Sequence, residues 1–424
     1  MYDLVVSGKI VNPDKIFGGY IGINGDAIEA IRKYKLRGRR TIDASSCLIF
    51  PGLIDLHTHL REDGSHKWDY KEDFTSGTRA AIHGGVTTVV DMPNTPEPTV
   101  TLDKIKEKKR LAREKGKIEV LFYAGVTRDN IRQLKEMADE IIGYKIFTCE
   151  STGGLYLPYE FIKSATKQII PTGKPISFHC EDQDINEEMK AKFSSYSSPE
   201  IHCEVRPALS EIRAVMKVVS LEIPNLNFCH VSLPKSMNII KGYFNSSHTC
   251  EVTPHHLLFN RNYVKVKGNL IKSNPPVRDE EDRQALLETL KRGEIDFGAS
   301  DHAPHSEKEK REDVWNAPSG IPSLDNTGNF ISWLIVKQYV DPRIIARMYS
   351  FAPSRFLKLE DRGEIKVGNR ANITILNTHK PEKITSDNLY TKGASPYVGM
   401  EFPGRVEYVI YKGEVIAENG EVLV

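Results

Sequence analysis

The chain has 424 residues, of which 39% are apolar and 27% are charged. At about 100–200 residues per domain, this length predicts two or three domains, or one large barrel with an appendage. The composition excludes disordered, collagen-like and disulfide-scaffold proteins, and because 58 basic residues balance 57 acidic ones, the net charge of +1 would not attract nucleic acid or anionic lipid.

The sequence also argues against a membrane or secreted protein. No apolar run approaches the ~20 residues needed to span a bilayer, and the first residues lack the basic and apolar regions of a signal peptide. Six scattered cysteines without a Cys-x-x-Cys pair predict free thiols. We therefore expect a cytoplasmic protein whose partner is a small molecule, with no nucleic acid and no membrane involved.

The two ends of the chain resemble each other. Residues 4–11, 20–31, 371–376 and 406–424 alternate apolar and polar side chains, and turn signals such as Asn419-Gly420 separate them. Because neither end could bury a two-faced sheet alone, the pattern predicts one composite β-sandwich domain built from residues 1–50 and 365–424.

Residues 51–364 between these ends follow a strand, loop and helix repeat. Helical segments such as Asn130–Glu140 separate short apolar runs, and this alternation over ~300 residues predicts an α/β fold, a (β/α)8 TIM barrel that carries the active site. A doubly wound sheet is the alternative, but no Gly-x-Gly-x-x-Gly motif follows the first run. The eight runs are Leu53–Leu56, Thr87–Asp91, Ile118–Tyr123, Ile141–Phe147, Pro175–Phe178, Leu226–Cys229, Thr249–Val252 and Ile295–Ala299.

Metal-ligand types lie at the ends of these runs, where barrel side chains converge on one mouth. His57 and His59 follow the first run with a spacing that puts both imidazoles on one side of an extended segment, and His179, His230 and Asp301 end three later runs. A single histidine at a strand end is more often a core residue, but the joint pattern predicts a divalent metal site suited to zinc. The set exceeds what one catalytic zinc requires, so two metals are implied.

Lys145 lies in the fourth run and is expected to point to the same mouth. An ammonium group would be repelled by two cations there. A desolvated amine can instead take up carbon dioxide, and the resulting carbamate could bridge both ions. The alternative is a lysine that extends to solvent.

Three motifs carry a resemblance to a known family: His57–Arg61 (HTHLR), Met92–Thr95 (MPNT) and Asp301–His305 (DHAPH). They resemble the cyclic amidohydrolases of the amidohydrolase superfamily over essentially the whole chain, and the dihydroorotase branch more than its hydantoinase and allantoinase relatives. The resemblance implies a (β/α)8 barrel with a composite β-domain. It also implies two zinc ions per subunit, bridged by carbamylated Lys145 and a hydroxide.

By the same resemblance, His57, His59, Lys145 and Asp301 would hold the more buried zinc, and His179, His230 and Lys145 the second. Asp301 would also be the catalytic proton carrier.

Arg61, Asn94 and His305 are similar to the residues with which the family binds the free carboxylate of its substrate. A planar guanidinium with an amide and an imidazole donor suits a carboxylate, whereas a neutral ring would leave these donors poorly compensated. The alternatives are a surface ion pair, a turn residue and a loop cation. Asn274 is a further substrate-binding candidate.

Residues 149–157, which include two adjacent glycines, resemble the mobile active-site loop of the family. We expect Ser151 or Thr152 to contact substrate when this loop closes, although an ordinary flexible loop has the same composition.

The implied activity is a zinc-dependent, reversible cyclisation of N-carbamoyl-L-aspartate to L-dihydroorotate plus water, in pyrimidine biosynthesis. The alternatives are a cyclic amidohydrolase of the allantoinase or hydantoinase type and a non-catalytic scaffold with the same fold. A homodimer, or association with a pathway enzyme such as aspartate transcarbamoylase, is consistent with the resemblance.

Overall fold

The computed structural model describes residues 1–151, 153–242 and 248–424. The strands are β1 (Tyr2–Val11), β2 (Ile16–Asn24), β3 (Ala27–Arg32), β4 (Gly38–Pro51), β5 (Leu53–Thr58), β6 (Val86–Asp91), β7 (Glu119–Gly125), β8 (Gly143–Phe147), β9 (Ile176–His179), β10 (Leu226–Phe228), β11 (Thr249–Val252), β12 (Phe297–Gly298), β13 (Ile373–Asn377), β14 (Glu382–Lys383), β15 (Glu401–Phe402), β16 (Arg405–Tyr411), β17 (Glu414–Glu418) and β18 (Glu421–Val422).

The α-helices of the described residues are α1 (Phe74–His83), α2 (Leu102–Lys115), α3 (Leu134–Met137), α4 (Tyr159–Ile169), α5 (Gln183–Lys192), α6 (Ile201–Val205), α7 (Ala208–Val219), α8 (Pro234–Gly242), α9 (Pro254–Leu258), α10 (Arg261–Lys267), α11 (Glu280–Lys291), α12 (Glu307–Lys310), α13 (Thr327–Val336), α14 (Pro342–Ala346) and α15 (Ala352–Phe356). Among these described segments, no helix is long and apolar enough to cross a membrane.

Strands β5 to β12 form an eight-stranded sheet in chain order, and each neighbouring pair is parallel. The sheet curls until its ends meet, where Thr58 and His302 form a parallel bridge. All eight predicted apolar runs contribute these strands, so the predicted (β/α)8 barrel is confirmed. The carboxyl ends of the strands therefore surround one mouth.

The two ends of the chain share a second eight-stranded sheet, in the order β18-β17-β16-β13-β4-β1-β2-β3. Most neighbours are antiparallel, as predicted, but β1 and β4 are parallel. The predicted turns Lys412-Gly413 and Asn419-Gly420 have positive φ at both residues, the geometry of a tight hairpin. Isoleucines from both ends of the chain pack into one hydrophobic core on this sheet, so the extra β-domain is composite. The predicted limits of this domain, residues 1–50 and 365–424, stay a proposal.

Candidate active site

The barrel mouth gathers the six residues predicted to hold metal. Five of them line one cavity at the mouth, and the sixth, Lys145, is fully buried in the middle of β8. The five cavity-lining residues are His57, His59, His179, His230 and Asp301.

His57, His59 and Asp301 form one half of the cluster. Asp301 Oδ1 lies 3.0 Å from His59 Nε2 and 3.3 Å from His57 Nε2. One ligand atom from each of the three residues lies within 4.8 Å of the others. Burial lowers the pKa of both histidines, an effect that Lys145 strengthens, so both imidazoles are neutral and offer a lone pair.

His179 and His230 form the other half. His179 Nδ1 lies 2.9 Å from His230 Nε2, and the two ring centroids are 4.6 Å apart. The His230 ring is 5.2 Å from the His57 ring, which joins the two halves. Burial lowers the pKa of both histidines, so these imidazoles are also neutral.

The positive charge of Lys145 acts on both halves of the cluster. After burial, its positive charge is among the causes that lower the pKa of His57, of His179 and of His230. Its Nζ atom lies 2.7 Å from Cys229 Sγ. The amine is therefore buried in the barrel interior, close enough to both halves of the cluster for its charge to act on their histidines.

Two glutamates that the sequence analysis missed orient the histidines. His57 Nδ1 donates to Glu251 Oε1 at 2.5 Å, and His179 Nε2 donates to Glu181 Oε2 at 2.8 Å. Burial opposes ionisation of Glu181, but Arg206 and His179 outweigh it and lower the pKa of Glu181 to about 2. Carboxylates that accept the second N–H of a ligating histidine fix its tautomer and are common around protein metal sites.

The donor set fits a divalent metal. Because His57 donates through Nδ1 to Glu251, its Nε2 lone pair faces the Asp301 carboxylate at 3.3 Å. Two acceptors at this distance repel each other unless a cation or a proton lies between them. Neutral imidazole nitrogens with a carboxylate oxygen are the ligands that zinc prefers.

The backbone is strained at three residues of the site. Arg61, His230 and Asp301 adopt the left-handed region, with φ values of 63°, 37° and 45°. Such conformations cost of order 1–3 kcal/mol each for residues other than glycine and cluster at functional sites. Here they turn the chain immediately after a strand, so that the side chains point into the mouth.

The carboxylate-binding candidates lie beside the metal residues. Arg61 and Asn94 line the cavity, and His305 Nε2 lies 3.2 Å from Arg61 Nη2. Within the described part of the chain, Arg61 Nε, Arg61 Nη1 and Asn94 Oδ1 are buried without a hydrogen-bond partner. Burial lowers the pKa of Arg61 to about 10, so the guanidinium remains charged at neutral pH. The two open N–H positions of the Arg61 guanidinium can receive an anion.

The remaining predicted site residues surround the opening. Asn274 and Ser151 line the cavity, whereas Thr152 lies outside the described residues. Gly153, with φ of 98°, approaches Asn94 so closely that a Cβ on this glycine would lie 2.9 Å from Asn94 Cβ. Gly153 therefore packs directly on a substrate-binding candidate.

Comparison with known proteins places this site in a family. The amidohydrolase family matches residues 48–416 of the chain. Curated relatives named dihydroorotase include those of Methanothermobacter thermautotrophicus, 31% identical over 100% of this chain and 96% of the relative, and of Pyrococcus horikoshii, 34% identical over 99% and 93%. The solved L-hydantoinase (dihydropyrimidinase) of Arthrobacter aurescens superposes with a TM-score of 0.94 at 26% identity, over 100% of this chain and 98% of that one.

Proposed function

Since this chain belongs to the amidohydrolase family, we propose that it catalyses the reversible cyclisation of N-carbamoyl-L-aspartate to L-dihydroorotate plus water, a step of pyrimidine biosynthesis. The chain is a hydrolase of cyclic amides, and its curated relatives at 31% and 34% identity are dihydroorotases. The observation that carries the substrate assignment is the position of Arg61, which extends unpartnered N–H groups into the cavity beside the histidine cluster.

We propose that the site holds two zinc ions. His57, His59 and Asp301 would bind one, and His179 and His230 the other, with carbamylated Lys145 shared by both. Carbamylation joins the Lys145 amine to the carbon of carbon dioxide and releases one proton. The bound ions would supply Lewis-acid polarisation of the reacting carbonyl and a water of lowered pKa.

Asp301 is suited to move the proton. In the hydrolytic direction, its carboxylate takes a proton from the attacking water and delivers it to the ring nitrogen as the C–N bond breaks. In the synthetic direction, it removes a proton from the ureido nitrogen as that nitrogen bonds to the side-chain carboxyl carbon, and it returns the proton to the carboxyl oxygen, whose bond to that carbon breaks as it leaves as water. Closure of the ring from a carboxylate and an amide consumes one proton overall, so low pH favours cyclisation and high pH favours hydrolysis.

Arg61, Asn94 and His305 would bind the carboxylate that stays outside the reaction. Arg61 and Asn94 line the cavity, His305 adjoins Arg61, and a buried guanidinium in particular needs an anion. A hydantoin or allantoin ring has no carboxylate and would leave these groups unpaired, which costs affinity. This argument separates the proposed activity from that of the hydantoinase with the same fold.

Substitution of Arg61 by Met tests the proposal. We expect KM for dihydroorotate to rise by about 10- to 100-fold, because a charged hydrogen bond contributes about 1.5–3 kcal/mol. KM for dihydrouracil, which is dihydroorotate without its carboxylate, should not rise. An equal loss on both rings would contradict the role of Arg61 in substrate choice.

The cytoplasmic location and an association with a second copy or with a pathway enzyme stay predictions.

A further inference from the structure

Lys71 is a buried cation that takes no part in the proposed reaction. It precedes α1, only 4% of the residue is exposed, and it lies directly behind His305, which is 0% exposed. Its Nζ atom is 2.7 Å from Glu309 Oε1, 3.3 Å from His305 Nδ1 and 4.4 Å from the centre of the Trp68 ring. An ammonium group has three N–H bonds, and each of these neighbours can receive one.

Two contacts favour hydrogen on the same nitrogen of His305: Lys71 lies at Nδ1, and the Ser319 carbonyl oxygen lies at Nε2. An ammonium group can only donate, so Nδ1 must be the acceptor. Glu309 is the other charged neighbour, but its Oε2 atom is 4.0 Å from Nδ1, too far to accept a hydrogen bond. A neutral His305 that accepts at Nδ1 carries its hydrogen on Nε2.

Nε2 lies beside two residues that line the cavity, Ser319 and Arg61. It lies 3.1 Å from the Ser319 carbonyl oxygen and 3.2 Å from Arg61 Nη2. With hydrogen on Nε2, the imidazole donates to the Ser319 carbonyl oxygen and cannot accept from the Arg61 guanidinium. In the opposite tautomer, Nε2 would accept from Arg61, and the two groups would satisfy each other.

We infer that Lys71 is a positioning residue for substrate selection: by donating to His305 Nδ1, it favours the tautomer that cannot accept from Arg61, and so it leaves the Arg61 N–H groups available to a substrate carboxylate. Glu309 keeps Lys71 in place, and it is itself held by the Ser306 backbone and hydroxyl and by the Tyr70 hydroxyl. The inference deepens the proposed function and rests on it for the identity of the carboxylate.

The kinetic test compares Lys71→Met with Lys71→Arg, which keeps a cationic donor. Lys67→Met serves as the control because Lys67 is an exposed neighbour on the same segment, with only a 3.9 Å contact to Glu97. For Lys71→Met we expect KM for dihydroorotate to rise about tenfold or more while kcat changes little. Lys71→Arg should recover most of the affinity, and Lys67→Met should match the wild type.

Dihydrouracil separates selection from general damage. If Lys71 only stabilised the fold, Lys71→Met would reduce turnover of dihydrouracil and dihydroorotate alike, and this result would overturn the inference. We expect a loss confined to the ring that carries the carboxylate.

A spectroscopic readout is independent of turnover. In protein labelled with ¹⁵N-histidine, with His305 assigned from the signal lost in His305→Gln, we expect the Nε2–H tautomer in the wild type and in Lys71→Arg. Lys71→Met should shift His305 toward Nδ1–H. An Nδ1–H tautomer in the wild type, or no change in Lys71→Met, would overturn the inference, whereas a wild type that does not turn over dihydroorotate would reject the proposed function alone.

Discussion

Glu251 accepts a hydrogen bond from His57 across the barrel mouth, with 2.5 Å between His57 Nδ1 and Glu251 Oε1. The pair is fully buried, and 194 positions separate the two residues in the chain. Burial raises the pKa of the glutamate, but the adjacent imidazole outweighs this effect and lowers it overall. The ionised carboxylate therefore fixes the His57 tautomer and leaves Nε2 available on the side of Asp301.

Glu251→Gln should weaken metal binding without removing a ligand. The amide cannot fix the His57 ring as a carboxylate does, and loss of such a partner typically costs about 10- to 100-fold in metal affinity. Zinc competition with a chelator, followed by metal analysis, measures this change. Glu114→Gln, at an exposed position on α2, is the control, and equal zinc affinities of the two variants would contradict the assignment.

Lys145→Ala should remove the shared ligand. We expect the zinc content to fall and kcat to decrease at least about a hundredfold, because a metal pair contributes several kcal/mol to transition-state stabilisation. A short carboxylic acid added to the variant should restore part of the activity, and ¹³C-bicarbonate should produce a carbamate signal in the wild type alone. Full activity of Lys145→Ala would contradict a bridging role.

Asp55 should make stability depend on pH. It accepts hydrogen bonds from the His57 and Ser300 backbone, and burial, its largest influence, raises its pKa to about 6. A raised carboxyl pKa means that the folded state holds the proton more tightly than the unfolded state. The contribution of this group is therefore present below the unfolded pKa of about 3.9 and is lost as pH rises through about 6.

Asp55→Asn does not titrate, so it isolates this contribution. Between pH 4 and pH 6, the free energy of unfolding of the wild type should fall relative to the variant by about 2 kcal/mol. Urea denaturation of metal-free protein at each pH measures the difference. A difference between wild type and variant that does not change over this range would contradict the raised pKa.

The buried ion pair of Lys108 and Asp91 supports the turn that carries Arg61. Both side chains are almost fully buried, and Asp91 Oδ1 also accepts from the Leu60 backbone at 2.8 Å. Lys108→Met leaves the carboxylate unpaired, which should cost about 3–5 kcal/mol in the free energy of unfolding. The double variant Asp91→Asn/Lys108→Met should recover part of this loss in urea denaturation; a single variant as stable as the wild type would disprove the argument.

The positions of the barrel strand ends could be predicted from the sequence. Each apolar run that formed a barrel strand was long enough to identify in the sequence. The barrel brings the residues after those runs together. His57, His179 and Asp301 therefore share one mouth, because β5, β9 and β12 belong to one sheet. Strand periodicity and strand-end position were sufficient to predict their proximity.

The supporting residues were harder to predict. Glu251 lies inside the apolar run Thr249–Val252, and this buried acid was a signal that the sequence analysis did not use. The segment Asn130–Glu140 was predicted as one helix but consists of short 3-10 pieces around α3. The Asn130 side chain bonds to Thr127 N, Val100 O and Gly125 O rather than capping the helix, a tertiary contact that local periodicity does not show.

The most direct test of the central claim is an assay of the zinc-supplemented wild-type protein in both directions, with dihydroorotate and N-carbamoyl-L-aspartate as substrates and hydantoin and allantoin as comparisons. The arrangement of Arg61 and His305 beside the histidine cluster predicts turnover of the first pair, with much weaker turnover of the uncharged rings. Equal or better turnover of hydantoin would contradict the assignment, and a zinc-loaded protein inactive on all four compounds would favour the scaffold alternative.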